Sequence, residues 1–463
     1  MATPDDDPRR SPLAARPTAS LEPAPDLSLD LSLDLSLGTR PSPVAGLNVL
    51  VVGINYAPEP TGIAPYTTGV AEHLAASAAR VDVLTGMPHY PNWEVPEGFA
   101  SLRSVQATAP DGVPHVHRLR HYVPGRQTAA RRAAYDATFL AQAATARPPV
   151  RPDLVVAATP SLGGAVAAVR IARRCGAPLV TVVQDLVAAA TAQSGMPGGG
   201  AVSGLAARME GYALRGADRV AVVSDTFRSA VEAYGVPPER VVLLPNWTHI
   251  SAVPVPRDQA RARLGWRVGG FSVVHTGNMG LKQDLGNVIE AARLLVDRED
   301  VTFYLIGHGS QRGPLRRQAT GLPNVRFVDP LDADTYPLAL AAADVLLVNE
   351  RPSVGEMSLP SKLTSYLSAG RPVLAAVWPG GATGCELDRT RGAALRVDPG
   401  SPARLAGAVE ALDADPAGRA RMGEAARSYA DARLGRDRAM ARLDQMLSDL
   451  LTGPSDQTTR GTR

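Results

Sequence analysis

The feature that most constrains the fold is an alternation of short apolar runs with helical segments, which occurs in both halves of the chain. The first run, from Leu47 to Gly53, is almost continuously apolar and ends in a glycine. Such a run is typical of a parallel strand that is buried on both faces. A helical segment at Tyr66–Ala78 and a short run at Val81–Leu84 follow it. Strands that alternate with helices predict βαβ units, and therefore a doubly wound α/β sheet.

The same pattern continues through the first half and then restarts. The later runs of the first half are Leu154–Ala158, Leu179–Val183 and Arg219–Val223. The runs of the second half are Phe271–His275, Val301–Ile306, Val325–Val328, Val345–Val348 and Val373–Ala376. A chain of 463 residues is long enough for two such domains of about 200 residues each. We therefore predict two Rossmann-like domains in tandem, with ligands bound at the carboxyl ends of the strands in the cleft between them.

The domain boundaries follow from composition and breaker residues. Residues 1–45 are rich in Pro, Ser, Asp and Arg, which predicts a disordered tail. The alternation of Leu with Ser and Asp there leaves a strand or docking segment as the alternative. Prolines 254 and 256 indicate a hinge between the domains. The predicted order is an N-terminal domain at 46–250, a hinge at 251–265, a C-terminal domain at 266–434, a helix at 435–452 with Met440, Leu443, Leu447 and Leu450 on one packing face, and a tail at 453–463.

Charge and cysteine content exclude several classes of protein. The net charge of +3 and the absence of a recognition motif give no support for nucleic-acid binding. The two cysteines, Cys175 and Cys385, lie far apart, so neither a disulfide framework nor a cysteine-based zinc site is indicated. No apolar run reaches the ~18–20 residues that span a bilayer, and the acidic N-terminus is unlike a secretory signal. We expect a cytoplasmic protein.

Four loops at predicted strand ends carry the candidate binding residues. The first is the turn at 53–66, where Gly62 precedes a helix that offers free amides to an anion. The other three lie in the second domain, where glycines allow close backbone approach and lysines supply point charges. Their candidate residues are Gly277, Asn278 and Lys282 in the second loop, Gly307 in the third, and Glu356, Met357, Ser358, Ser361 and Lys362 in the fourth. Three such loops in one domain predict a site for a nucleoside diphosphate.

The motifs together resemble glycosyltransferase family 4, in particular its branch of colanic-acid-type exopolysaccharide transferases. The resemblance runs from about Leu47 to Leu450. The segments that carry it are Asn48–Leu50, Tyr56–Ile63, Gly86–Pro91, Gln184–Leu186, Val223–Ser224, Pro245–Trp247, Gly277–Gln283 and Leu359–Leu363. The resemblance implies a GT-B fold, a nucleotide-sugar donor held mainly by the second domain, retention of anomeric configuration, and no metal or other cofactor.

The family pattern assigns roles to residues of this chain. Lys282 and Lys362 would neutralise the donor diphosphate, with backbone amides near Gly62 and around Met357 and Ser358. The chain departs from the pattern at two places. Asn278 stands in the stretch where the family usually has an arginine. Ser365 takes the place of the second of two glutamates, and Glu356 sits one residue from the place of the first.

Candidates for the acceptor side lie in the first domain. Asp185 follows the predicted strand Leu179–Val183 and should open on the cleft, where it would orient the acceptor or act as a base if burial raises its pKa. Capping of a helix is the alternative. His89 is either an acceptor contact or a structural histidine. Asp185 and Lys282 are the residues that we assign to the reaction.

The segment Gly112–Tyr135 contains five arginines and no acidic residue. The arginines are Arg118, Arg120, Arg126, Arg131 and Arg132. Tyr135 and Phe139 have the spacing to share a face with this basic segment. Two interpretations stay open: a solvated basic face, or a peripheral contact with anionic lipid at the inner face of the plasma membrane.

The function predicted from the sequence is transfer of a hexose from a nucleotide sugar to a saccharide or lipid-linked acceptor, in exopolysaccharide or glycolipid assembly. Two alternatives stay open: a GT-B nucleotide-sugar epimerase, and a non-catalytic scaffold derived from a transferase. A nicotinamide dehydrogenase is disfavoured, because neither domain opens with the glycine fingerprint and the acidic residue that follows it.

Overall fold

The computed structural model describes residues 42–77, 79–100, 104–107, 109–125, 128–188, 199–250, 253–353 and 359–452. These residues form two sheets, one of eight strands and one of six. The first sheet contains β1 (Asn48–Val52), β2 (Arg80–Gly86), β3 (Ser104–Ala107), β4 (His115–Leu119), β5 (Leu154–Ala158), β6 (Leu179–Val183), β7 (Arg219–Val222) and β8 (Val241–Leu243). The second contains β9 (Phe271–Thr276), β10 (Val301–Ile306), β11 (Val325–Val328), β12 (Val345–Asn349), β13 (Val373–Ala376) and β14 (Ala394–Val397).

Helices alternate with these strands. Those of the first domain are Ala64–Ala76, Glu97–Ala100, Ala129–Thr145, Leu162–Cys175, Gly199–Arg215 and Arg228–Ala233, with short 3-10 turns at Asp225–Phe227 and Pro238–Arg240. Those of the second domain are Leu285–Leu294, Arg312–Gln318, Thr335–Ala342, Lys362–Ser368, Ala382–Arg389, Pro402–Ala414 and Pro416–Arg433, with a 3-10 turn at Leu281–Gln283. Helix Arg257–Leu264 precedes the second sheet, and helix Arg436–Thr452 ends the described chain.

Strand order places the two switch points that Rossmann-like sheets use for ligands. The first sheet has the order β3-β4-β2-β1-β5-β6-β7-β8, and the second has the order β11-β10-β9-β12-β13-β14. The pairings are parallel except for β3 with β4. The strand order changes direction between β1 and β5 in the first sheet and between β9 and β12 in the second. Ligands bind beyond the carboxyl ends of strands at such points.

Burial on both faces explains why the apolar runs predict these strands. In β1, Leu50 and Val52 pack into one apolar layer, while Val49 and Val51 pack into the layer on the opposite face. Successive strand residues point to opposite faces, so a strand covered by helices on both sides needs apolar residues throughout. The predicted doubly wound α/β fold with two Rossmann-like domains is confirmed.

The structure corrects the sequence analysis in several places. Strands β3, β4, β8 and β14 were not predicted. Val44 is fully buried, so the ordered fold begins inside the segment assigned to the disordered tail, whose residues 1–41 lie outside the described residues. The segment assigned to the hinge contains the helix Arg257–Leu264, whose Arg261 is buried and pairs with Asp344 ahead of β12.

The last helix returns to the first domain. Met440, Leu443 and Leu447 are buried in the layer that contains Val49 and Val51 of β1, which confirms the apolar face predicted for this helix. The His73 ring nitrogen Nε2 lies 2.9 Å from Asp444 Oδ1, and this contact joins the same helix to the first domain. Among the described residues, no helix is both long enough and apolar enough to cross a membrane.

Candidate active site

The loops after β9 and β10 are packed against each other at the carboxyl edge of the second sheet. The Gly277 amide donates to the Ile306 carbonyl at 2.9 Å, and the Met279 amide donates to the His308 carbonyl at 2.8 Å. Gly307 has a φ of +131°, and a Cβ there would lie 2.1 Å from the Gly277 carbonyl oxygen. Only glycine fits this approach. The structure therefore brings the second and third predicted loops together.

Lys362 reaches the same edge from the start of helix Lys362–Ser368. A Cβ on Gly277 would lie 3.7 Å from Lys362 Nζ, so the ammonium group lies beside the glycine backbone. Lys362 Nζ is also 3.3 Å from Nε2 of the buried His275. His275 Nδ1 faces the Leu347 carbonyl at 3.2 Å. Because a carbonyl only accepts, Nδ1 carries the proton and Nε2 accepts from Lys362.

Burial changes the protonation of this lysine. Removal from water lowers the pKa of Lys362 from its ordinary value to about 7, the charge of Glu350 opposes that shift, and the charge of Lys282 adds to it. Burial also lowers the pKa of His275 well below its ordinary range, so this ring is neutral. The Lys362 side chain therefore titrates near neutral pH.

Lys282 lies on the 3-10 turn Leu281–Gln283, which the end of β12 holds in place. The Arg351 amide donates to the Lys282 carbonyl at 2.9 Å. The Asn349 side-chain amide donates to the carbonyls of Gln283 and Asp284 at 2.9 and 3.0 Å. These bonds tie the β9 loop to β12 across the switch point of the sheet.

Glu350 completes the group, and sequence reasoning missed it. Its side chain is buried, and its Oε1 accepts from the Thr383 hydroxyl at 2.9 Å. Burial raises the pKa of Glu350, while the charges of Lys282 and Lys362 act in the opposite direction. We call Lys282, Lys362, Glu350 and His275 the lysine site.

The sequence contains a further signal for this site. Of its 48 lysine and arginine residues, only two are lysines, Lys282 and Lys362. All the remaining residues of this set are arginines. The two lysines are therefore confined to the place where both interact with the buried carboxylate of Glu350. Lysine is a compact charge whose pKa shifts on burial, whereas arginine stays protonated.

Other predicted residues of the second domain lie around this site. Asn278 is exposed, with its side chain against Gly309 and Gly280. Ser361 is half-buried and its carbonyl accepts from the Thr364 hydroxyl. Ser365 is buried three residues after Lys362 on the same helix, and it lines a small space with Ile250. Glu356, Met357 and Ser358 lie outside the described residues.

In the first domain, Gly62 contacts the loop that follows β2. Gly62 has a φ of +72°, and a Cβ there would lie 2.9 Å from the Tyr90 ring. Glu59 fixes this loop, because its Oε1 accepts from the amides of His89 and Tyr90 at 2.8 and 2.9 Å. Glu59 and Tyr90 are thus structural supports of the first predicted loop.

Asp185 lies just beyond the carboxyl end of β6 and is partly exposed. Burial raises the pKa of Tyr90, and the charge of Asp185 raises it further. Asp185 is therefore near Tyr90, whose ring contacts Gly62. The amides of Val187 and Ala188 donate to Glu210 at 2.7 and 3.3 Å. Glu210 therefore binds these two amides, and helix capping stays the alternative role for Asp185.

His89 is buried between two partners. Its Nδ1 lies 2.8 Å from the Met87 carbonyl and its Nε2 lies 3.0 Å from the Tyr135 hydroxyl. Burial lowers the pKa of His89, so the neutral ring donates to the carbonyl and accepts from the tyrosine. This arrangement supports the structural alternative for His89.

Comparison with known proteins identifies the family. Residues 61–247 match the family model described as glycosyl transferase 4-like domain, and residues 270–415 match the model described as glycosyl transferases group 1. Over 336 residues the chain is 32% identical to a protein of Escherichia coli (strain K12) named colanic acid biosynthesis glycosyl transferase WcaI, covering 70% of this chain and 82% of that one. This chain belongs to glycosyltransferase family 4. The family-4 resemblance predicted from its motifs is confirmed.

A second relative and two solved structures agree with this assignment. The transferase is 27% identical over 213 residues to glycosyltransferase WbjE of Pseudomonas aeruginosa, covering 44% of this chain and 52% of that one. A crystal structure of Anabaena Alr3699/HepE in complex with UDP matches with a TM-score of 0.63 at 18% identity, covering 87% of this chain and 100% of that one. WaaG, a glycosyltransferase involved in lipopolysaccharide biosynthesis, matches with a TM-score of 0.60 at 19% identity, covering 88% and 100%. The transferase has the GT-B fold.

The structure corrects the interpretation of the basic segment of this transferase. Arg118 is buried and donates to the carbonyls of Gly86, at 3.3 Å, and Ala57. Tyr135 and Phe139 are buried in the core of the first domain, so they form no lipid-facing surface. Arg126 lies outside the described residues. Membrane contact stays a prediction that concerns the exposed arginines 120 and 131.

Proposed function

We propose that this transferase moves a hexose from a nucleoside-diphosphate sugar to a saccharide or lipid-linked acceptor, with retention at the anomeric carbon and without a metal ion. The observation that supports this proposal is the lysine site. Lys362 lies beside the Gly277 backbone at the carboxyl edge of the second sheet, and Lys282, on the loop after β9, is near enough for its charge to lower the pKa of Lys362. Two adjacent cations at a switch point suit a ligand with several negative charges.

The chemistry of the transfer explains why this arrangement matters. The bond between the anomeric carbon and the diphosphate oxygen breaks, and the diphosphate leaves with the electron pair. A bond forms between the anomeric carbon and the acceptor oxygen, whose proton passes to the departing diphosphate. Charge therefore develops on the diphosphate in the transition state, where fixed positive charge stabilises it most. Lys282 and Lys362 supply that charge.

Asp185 belongs to the acceptor side in this proposal. It lies beyond the end of β6, and its charge acts on Tyr90, which contacts Gly62. A carboxylate at this place orients an acceptor hydroxyl by accepting its hydrogen bond. Replacement of Asp185 by Asn should then lower transfer more than nucleotide binding.

The relatives guide the choice of donor and pathway. The matched HepE structures are complexes with UDP, UDP-glucose, and UDP with glucose, which makes uridine nucleotides the first donors to test. The name of WcaI refers to colanic acid biosynthesis, an exopolysaccharide, and this supports a role in exopolysaccharide or glycolipid assembly. Among the residues that the structure describes, no three His, Cys, Asp or Glu side chains are grouped so that they could hold a metal ion.

The test is a transfer assay with UDP-glucose and glycoside acceptors in the presence of EDTA. We expect a product whose anomeric proton has the small coupling constant of an α-glucoside, the configuration of the donor. A β-glucoside would refute retention, and a requirement for added divalent cation would refute metal independence. Free sugar that forms at the same rate without acceptor would favour the epimerase or a hydrolase instead.

A further inference from the structure

Arg132, on the helix Ala129–Thr145 of the first domain, has no acidic partner among the residues that the structure describes. The Arg132 guanidinium carbon lies 4.6 Å from the centre of the Trp93 ring and 5.5 Å from the centre of the Tyr135 ring. Within the described part of the chain, its guanidinium has no carboxylate at ion-pair distance and no hydrogen-bond acceptor. Cation–π contacts hold a guanidinium by its face and leave its N–H donors at the edge available.

Neighbouring carboxylates are bound elsewhere. Asp136, which follows Arg132 by four residues, accepts from the Ser161 hydroxyl at 2.9 Å and from the Gly163 amide at 3.4 Å. Glu59 accepts from two backbone amides through Oε1 and from the Asn55 side chain at 2.8 Å through Oε2. The charge of Arg132 acts on the pKa of Asp136, but neither carboxylate occupies the donors of the guanidinium.

Arg132 also lies near the first predicted loop, to which two aromatic rings connect it. The Trp93 ring is 6.2 Å from the Tyr90 ring, and Tyr90 contacts Gly62. These aromatic residues follow β2, so they lie beyond its carboxyl end. Arg132 is half-buried, which leaves part of it accessible to a ligand.

We propose that Arg132 binds an anionic group of the acceptor, either a carboxylate or a phosphate. This inference rests on the proposed function, because it assumes that the acceptor binds to the first domain. The planar donors of a guanidinium match the paired oxygens of both anions. The shared chemistry has two sources, an acidic sugar of the acceptor and the phosphate of a lipid carrier.

The test is calorimetric titration with three soluble ligands: neutral butyl glucoside, butyl glucuronide with its carboxylate, and glucosyl butyl diphosphate. Each titration is run with and without saturating UDP. A charge-assisted hydrogen bond predicts that at least one anionic ligand binds about tenfold more tightly than butyl glucoside, or better. Preference for the glucuronide identifies an acidic sugar, and preference for the diphosphate identifies a lipid carrier.

Arg131 provides the matched control, since it is an exposed arginine one position away on the same helix. We expect Arg132→Gln to remove the preference and to leave the affinity for butyl glucoside within about threefold. We expect Arg131→Gln to retain the preference, and Arg132→Lys to retain part of it. Thermal unfolding checks that each variant is folded.

The inference is overturned if neither anionic ligand binds more tightly than the neutral one, or if the two glutamine variants behave alike. Failure of UDP to bind is a separate result. It would refute the donor proposal, while the titrations without UDP would still decide the role of Arg132.

Discussion

The lysine site predicts that nucleotide binding takes up a proton. In the free protein the pKa of Lys362 is about 7, whereas a bound diphosphate should raise it, because an adjacent negative charge favours the ammonium form. Binding then weakens as pH rises, since more of the free protein carries a neutral Lys362. The second ionisation of a phosphate, near pH 6, is about nine-tenths complete at about pH 7, so it changes little at higher pH.

The size of the effect follows from one-proton linkage. Between about pH 7 and about pH 8.5 the protonated fraction of Lys362 falls from about one half to about 3%, so the apparent Kd should rise about 16-fold. Calorimetric titration of UDP measures this rise. Repeating it in buffers of different ionisation enthalpy should show uptake of about half a proton at the lower pH and nearly one at the higher.

The rarity of lysine makes a direct measurement of the pKa feasible. Protein labelled with 13C at the lysine Cε position should give two signals, one for Lys282 and one for Lys362, and Lys282→Arg assigns them. The Lys362 signal should titrate near pH 7 in the free protein and at higher pH with UDP. Lys362→Arg should flatten the pH dependence of binding, because arginine stays protonated. A Lys362 signal that titrates near pH 10 in the free protein, or an equal pH dependence of UDP binding in Lys362→Arg, would refute the reasoning.

Three further predictions concern glycine geometry, charge and packing. Gly62→Ala should lower stability by about 1–3 kcal/mol more than Gly112→Ala; both have positive φ, but a Cβ at Gly112 meets nothing within 4 Å, so equal changes in denaturant midpoint would contradict the contact with the tyrosine ring. Glu350→Gln should move the midpoint of the pH-dependent UDP binding below 7, because the carboxylate raises the pKa of its lysine neighbour, and an unchanged or higher midpoint would contradict that coupling. Leu443→Ala should lower the free energy of unfolding by about 2–5 kcal/mol, since this side chain is fully buried, whereas the exposed Gln445→Ala should change it by less than about 0.5 kcal/mol.

The sequence predicts the interior of the fold well because burial leaves a pattern. Strands β5, β6, β10, β11 and β13 have the bounds that their apolar runs predict, since most of them are buried on both faces. Strands at a sheet edge or next to one leave a weaker pattern. The residues of the edge strand β14 are all partly exposed. Strand β4 lies beside the edge strand β3, and three of its five residues are His115, His117 and Arg118, so neither strand produces a continuous apolar run.

The residues of the candidate site also differ in whether the sequence alone could predict them. Lys282 and Lys362 could be predicted because glycine-containing loops at strand ends have a sequence signature. Glu350 and Arg132 could not, because their significance depends on neighbours distant in sequence. Glu350 matters through the two lysines, and Arg132 matters because of aromatic faces from Trp93 and Tyr135.

The measurement that tests the central claim most directly is thermal unfolding of the protein with EDTA and, in turn, UDP, GDP, ADP and dTDP. A ligand of the folded state stabilises it by about 2.7 kcal/mol at about a hundredfold excess over its Kd. We predict that one nucleotide raises the unfolding temperature of the wild-type protein and that Lys282→Ala loses this shift. No shift with any nucleotide, or a shift that Lys282→Ala retains in full, would contradict a donor site at the two lysines.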